Sequence, residues 1–227
     1  MLDVPGRAVV YWGRPDAPYS VYATRGMQKP RAVIVHYNVP SPVLSLVKYG
    51  HRSDPARGGA SFGYHFYISQ TGRIVQGAPL SRRTNHIKST GNSARTDVGR
   101  HLWSGNTIGV SLVGACEPRS ASGTGTYDCL REKPTPAQIA AGLAVIEALQ
   151  ARYQMACDAV FGHGELQTDR KPFEGAALTT AARGACLERS LEARPDLLGK
   201  RETGDAGRAL PARETNTIRA GPPGRSG

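Results

Sequence analysis

The stretch Ala32-Val33-Ile34-Val35-His36-Tyr37 decides the fold class. Three of its four leading apolar residues are β-branched, and such side chains favour an extended backbone. An unbroken apolar run of this length reads as a strand buried on both faces, the kind found inside α/β sheets. The run ends in a histidine, and a polar ring at the end of a buried strand is a candidate for chemistry.

Working outward, Thr107 to Val113 is a second buried strand. Tyr64 to Ile68 and Arg73 to Gln76 form a hairpin around a turn at Thr71-Gly72. Ser41-Pro42 resembles a cap with proline at the first helical position, so Val43 to Tyr49 is a short helix. Thr135-Pro136-Ala137-Gln138 carries a capping box, and Ile139, Leu143, Ile146 and Leu149 follow at helical spacing. Leu178 to Leu191 is a further helix. Strands alternating with helices, plus one hairpin, predict an α/β domain with a mixed central β-sheet flanked by helices. Residues 81 to 106 and 116 to 134 read as loops.

Residues 1 to 30 read as an irregular N-terminal arm, and 31 to 193 as a single domain. Residues 194 to 227 hold ten Gly or Pro and no apolar period, which predicts a disordered basic C-terminal tail. The chain has 227 residues, 39% of them hydrophobic, and no apolar run long enough to span a membrane. Met1 to Ser20 lacks the apolar stretch of a secretory signal. The expectation is cytoplasmic synthesis and a monomer. The four cysteines, Cys116, Cys129, Cys157 and Cys186, are then expected as free thiols. A Cys116–Cys129 bridge is the alternative in an oxidising compartment, and Cys157 and Cys186 read as core residues. The net charge of +11 favours a polyanion. Basic residues are scattered without aromatic interleaving, which argues against nucleic acid; a solvated basic surface is the plain reading, and attraction to an acidic cell wall is the alternative.

The second candidate segment is Gly162-His163-Gly164-Glu165-Leu166-Gln167-Thr168-Asp169-Arg170-Lys171-Pro172-Phe173-Glu174-Gly175. It offers an imidazole, carboxylates and cations in one loop. With His36 it can assemble a hydrolytic zinc site.

Five segments in this order resemble one family: Val33 to Tyr37, Phe62 to Phe66 with Gly72 to Val75, Asn106 to Gly114, Thr135 to Gln138, and Gly162-His163. They are similar to the zinc-dependent N-acetylmuramoyl-L-alanine amidases. That family includes phage lysozyme-type enzymes and is related to the peptidoglycan recognition proteins. The resemblance implies a zinc groove and hydrolysis of the amide between N-acetylmuramic acid and L-alanine in peptidoglycan. An endolysin or an enzyme of wall turnover would fit. It would act on the wall after release, or on wall fragments in the cytoplasm. A non-catalytic peptidoglycan-binding module is the alternative, and a zinc hydrolase of another amide is a third reading.

The resemblance makes His36 and His163 the first two zinc ligands. The family places Cys or Asp two residues after a basic residue, but that position is Phe173 here. A shift of one residue makes Glu174 the third ligand, with Asp169 competing. Tyr64 matches a tyrosine near the zinc, and Lys171 matches the basic residue that can stabilise an oxyanion. His86 sits where relatives have a histidine lining the groove, so it is expected to touch substrate. Where some relatives have a glutamate base, this chain has Ser111, which fits the phage-type branch. Glu165 could orient His163. His65 alternates with Tyr64, so only one of them is expected to face the groove, and that one is Tyr64. His51 and His101 carry no supporting pattern.

Overall fold

A computed structural model describes residues 1–12, 27–50, 63–87, 96–118 and 129–194. The expected tail, from residue 195 onward, lies outside them.

The chain builds a mixed six-stranded sheet flanked by helices. In chain order the elements are β1 (Val9–Tyr11), β2 (Ala32–Asn38), α1 (Val43–Gly50), β3 (Phe66–Ile68), β4 (Ile74–Gln76), β5 (Thr107–Val113), β6 (Cys116–Pro118), β7 (Cys129–Glu132), α2 (Pro136–Tyr153), β8 (Val160–Gly162), α3 (His163–Leu166) and α4 (Ala176–Glu192). The sheet order is β1-β4-β3-β5-β2-β8, and β6 pairs with β7 in a separate ribbon. Only β3 and β4 pair antiparallel within the large sheet.

The centre of the sheet is covered on both faces, as its apolar strands require. Val33 and Val35 of β2, with Ile108, Val110 and Leu112 of β5, join Val145, Ile146, Leu149 and Leu178 in the main core. Ala32 and Ile34 point to the other face and pack with Ile87, Leu102 and Leu166. His36 continues that second row, two residues beyond Ile34. In register beside it lie Ser111 of β5 and then Tyr67 of β3.

Helix α2 starts as its sequence demands. Thr135 accepts from the Gln138 amide, and Gln138 accepts from the Thr135 amide, both at 3.1 Å. The buried Gln138 side chain then donates to the Ile68 and Val113 carbonyls, locking the helix to the sheet. The buried stripe is centred on Ala141, Val145, Ile146 and Leu149; Ile139 and Leu143 are half-buried at its margin.

Several expectations need correction. Residues 1–12 do not form an irregular arm: Leu2 and Val4 are buried in the core, and β1 adds to the sheet edge alongside β4. The segment read as a loop over 116–134 carries the β6–β7 ribbon at its ends. Strand β8, three residues long, was not expected.

The cysteines are not free thiols. Cys116 is bonded to Cys129 and Cys157 to Cys186, each pair with Cα atoms 5.4 Å apart. The second bridge ties the loop before β8 to α4 across 29 residues. Closing a loop of that size removes roughly 3–4 kcal/mol of unfolded-state entropy. A Cys157→Ser, Cys186→Ser double variant is therefore expected to lose stability on that order in urea unfolding. An unchanged midpoint would contradict this.

Candidate functional site

His36 and His163 arrive from adjacent strands. β2 and β8 pair in parallel with Val35 opposite Gly162, so the residues that follow, His36 and His163, emerge side by side. Their ring centroids are 4.4 Å apart. The third member is brought in by a tight loop. Gly164 donates its amide to the Glu174 carbonyl at 3.1 Å, and a Cβ on Gly164 would lie 1.8 Å from the Lys171 carbonyl oxygen. Gly175, at φ +83°, passes so close to β2 that a Cβ there would lie 2.3 Å from the Val35 oxygen. Only glycine allows both approaches. The spacing Gly-His-Gly to Glu-Gly is thus the steric condition for placing Glu174 beside the two histidines.

The three side chains form a buried group able to hold a metal ion. Glu174 Oε1 lies 3.0 Å from His163 Nδ1 and 3.4 Å from His36 Nδ1. Donors each about 2.0–2.1 Å from a tetrahedral metal ion are spaced at about these values. Both nitrogens of His36 are buried without a hydrogen-bond partner, an arrangement that is costly unless something else satisfies them. On the far side of the other ring, His163 Nε2–H donates to Gln167 Oε1 at 2.6 Å, in the tautomer that leaves Nδ1 to face Glu174.

Burial, with His163 adding to it, pushes His36 down to about 3, so it stays neutral and ligand-competent. Burial raises Glu174, but the close approach of His163 and then of His36 outweighs it and holds the carboxyl well below its usual range. Burial first, then the Glu174 charge, pushes the Tyr64 phenol above its usual range, so it remains a proton donor.

The group opens into a cavity of about 480 Å³, lined by Asn38, Tyr64, Asp169, Arg170, Lys171 and Glu174 among others. Tyr64 packs 4.7 Å from the His36 ring. Lys171 is exposed on the rim. Asp169 also lines the cavity but is exposed and stands outside the buried trio. Phe173, at the family's usual ligand position, stacks instead on Tyr37 at 6.1 Å.

Tyr64 lines the cavity and His65 does not, although β3 begins only at Phe66. Two expectations change here. His86 does not line the cavity. It lies behind His36, with rings 5.6 Å apart, and is nearly fully buried. Its Nδ1 meets Thr84, and its Nε2 meets Thr107 Oγ1 at 2.9 Å. That geometry suits supporting His36, not touching substrate. Glu165 does not contact His163: it accepts from the Gly162 amide and pairs with Arg183. Gln167 does the orienting, and its sequence signal was the i, i+4 spacing from His163.

His65 is fully buried, with Nδ1 accepting from the Gly109 amide and Nε2 against the Arg82 carbonyl. Burial pushes it down from 6.5 to about 4, with that carbonyl opposing. Burial moves His86 the same way. The unfolded chain therefore binds more protons than the folded one between those values. Their stabilisation is complete above pH 6.5 and is lost as pH falls toward 4, with roughly 3 kcal/mol from His65. The thermal midpoint of chelator-treated protein should drop across that window and hold steady from pH 7 to 8. A flat profile down to pH 4.5 would contradict this.

No curated protein matches the chain. Among solved structures, the chain is similar to the amidase LysC from Clostridium intestinale URNW, at 17% identity and TM-score 0.50, covering 77% of this chain and 96% of that one. The endolysin amidase LysCS from the same organism gives 16% and 0.50, covering 80% and 97%. A selenomethionine derivative of AmpD gives 22% and 0.51, covering 80% and 98%. At these identities the likeness shows the fold. The family model described as N-acetylmuramoyl-L-alanine amidase matches residues 26–175, a span that contains β2, the histidine pair and the Glu174 loop. On that match, the chain belongs to the N-acetylmuramoyl-L-alanine amidase family.

Proposed function

We propose that this chain is a zinc-dependent N-acetylmuramoyl-L-alanine amidase that cleaves the amide between muramic acid and L-alanine in peptidoglycan. The observation that carries this reading is the buried trio of His36, His163 and Glu174 beneath an open, cation-rimmed cavity. Two imidazoles and one carboxylate are an established catalytic zinc set that leaves one position open. When bound, zinc supplies a Lewis acid and makes water acidic enough to attack an amide at neutral pH.

The chain's own residues do the rest. His36, His163 and Glu174 hold the ion, and Gln167 fixes the tautomer of His163. Tyr64, kept protonated, donates to the reacting oxygen. Lys171 on the rim stabilises the oxyanion that develops as the carbonyl becomes tetrahedral. Ser111, where some relatives have a glutamate, accepts from Asn38 at 2.7 Å and takes no part as a base. The completeness of the ligand trio favours an enzyme over a binding module that has lost a ligand. The net charge of +11 suits an anionic wall. Among the described residues no helix is long and apolar enough to cross a membrane. We further propose residues 31–193 as the catalytic domain, acting as a monomer in the manner of an endolysin or a wall-turnover enzyme.

The test is mass spectrometry of digested muropeptides, where free L-alanine amino termini and peptide-free glycan are expected. Lys171→Ala and Tyr64→Phe should each lower kcat by about 10²-fold while binding zinc as tightly as the parent. Cleavage at another bond, or unchanged kcat in both variants, would overturn the assignment.

A further inference from the structure

The carboxylate of Glu132 lies under the first turn of α4, and the reaction as described does not use it. β7 delivers it there. That strand is tied back to β6 by the Cys116–Cys129 bridge, by the Arg131–Glu117 ion pair, and by the Lys133 amide donating to the Ala115 carbonyl. The Ala177 amide, in the first turn of a 17-residue helix, donates to Glu132 Oε2 at 3.1 Å. It lies three residues after Glu174. Amides at a helix start have no acceptor within the helix, so a side-chain oxygen there satisfies one of them. Cys129, three residues before Glu132, lines the cavity.

We propose that Glu132 is a positioning residue for the metal site: by holding the Ala177 amide it fixes the first turn of α4 and so the height and direction of Glu174 toward His36 and His163. This rests on the reading of Glu174 as a metal ligand. Glu174 is fixed within its own loop by the Gly164 amide donating to its carbonyl and by its amide donating to the Lys171 carbonyl. Glu132 holds the turn that follows from the ribbon side. Without Glu132 the first turn of α4 loses its tie to the ribbon, and Glu174 is fixed only through the loop that carries it. The ribbon is therefore part of the metal site and not a passive insertion.

The experiment measures zinc affinity by chelator competition, and the visible spectrum of the cobalt-loaded protein, for the parent, Glu132→Ala, Glu132→Gln and Thr135→Ala. Thr135→Ala removes the cap of α2, away from the site, and serves as a purely structural control. Glu132→Ala is expected to weaken zinc binding about 10- to 100-fold, the range for partners that orient ligands, and to alter the cobalt bands. Glu132→Gln keeps one acceptor oxygen at nearly the same shape, so it should fold as the parent does and recover part of the loss. Thr135→Ala should lower the thermal midpoint with affinity and spectrum unchanged. Parent-like affinity and spectrum in both Glu132 variants would overturn the positioning role while leaving the metal site intact. A parent protein that binds neither zinc nor cobalt would overturn the site and this role together.

Discussion

Replacing His36 or His163 with alanine is expected to abolish zinc binding and peptidoglycan cleavage together. Each histidine supplies one of three donors, and the remaining histidine and carboxylate cannot complete a catalytic zinc set. The two variants should differ when metal is absent. His36 makes no hydrogen bond through either nitrogen, so its removal leaves a cavity and little else. His163 holds Gln167 on one side and Glu174 on the other. Its loss removes both contacts, at a cost of about 1–3 kcal/mol. Urea unfolding of the chelator-treated proteins should therefore rank parent, then His36→Ala, then His163→Ala in falling stability. Zinc titration should show neither variant binding. Retained cleavage in either one would remove that residue from the site.

Glu174 gives the second large effect, and it settles the one-residue shift in the ligand loop. Glu174→Ala should lose more zinc affinity than the roughly 10–100-fold typical of an outer partner, since it removes a ligand itself. Asp169→Ala, at an exposed position on the cavity wall, should bind zinc as the parent does. Adding Phe173→Asp to Glu174→Ala should not restore binding, because that side chain points to the Tyr37 ring and not to the histidines. Equilibrium dialysis with zinc separates these cases. Loss of metal in Asp169→Ala, or rescue by Phe173→Asp, would place the third ligand elsewhere.

Much of this was legible in the sequence, and the reasons are local. β2 and β5 are seven residues long and apolar throughout their core-facing positions, so their pattern is strong. The capping box at Thr135 needs only residues within one turn. His36 and His163 were proposed from the family resemblance of their segments, and Glu174 from a one-residue shift, because Phe173 at the expected position offers no donor. What escaped depends on distance along the chain or on very short elements. β1 and β8 have three residues each, too few to show a period. The Cys157–Cys186 bridge joins residues 29 apart, and only the packing of α4 against the loop before β8 reveals that they meet. The strand expected from Tyr64 starts only at Phe66, because β3 is short. His86 was expected to touch substrate from the resemblance, and a histidine carries no sign of its own burial; Thr84 and Thr107, which satisfy it, become its neighbours only through the fold. Glu132 was hidden for the same reason, since its partners are more than 40 residues downstream.

The most direct measurement is release of new amino groups from purified peptidoglycan by the zinc-loaded protein, repeated after chelation and again after zinc is returned. Release is expected to stop on chelation and recover with zinc, with L-alanine as the exposed residue. Folded, zinc-loaded protein that binds peptidoglycan tightly and releases no amine would contradict it.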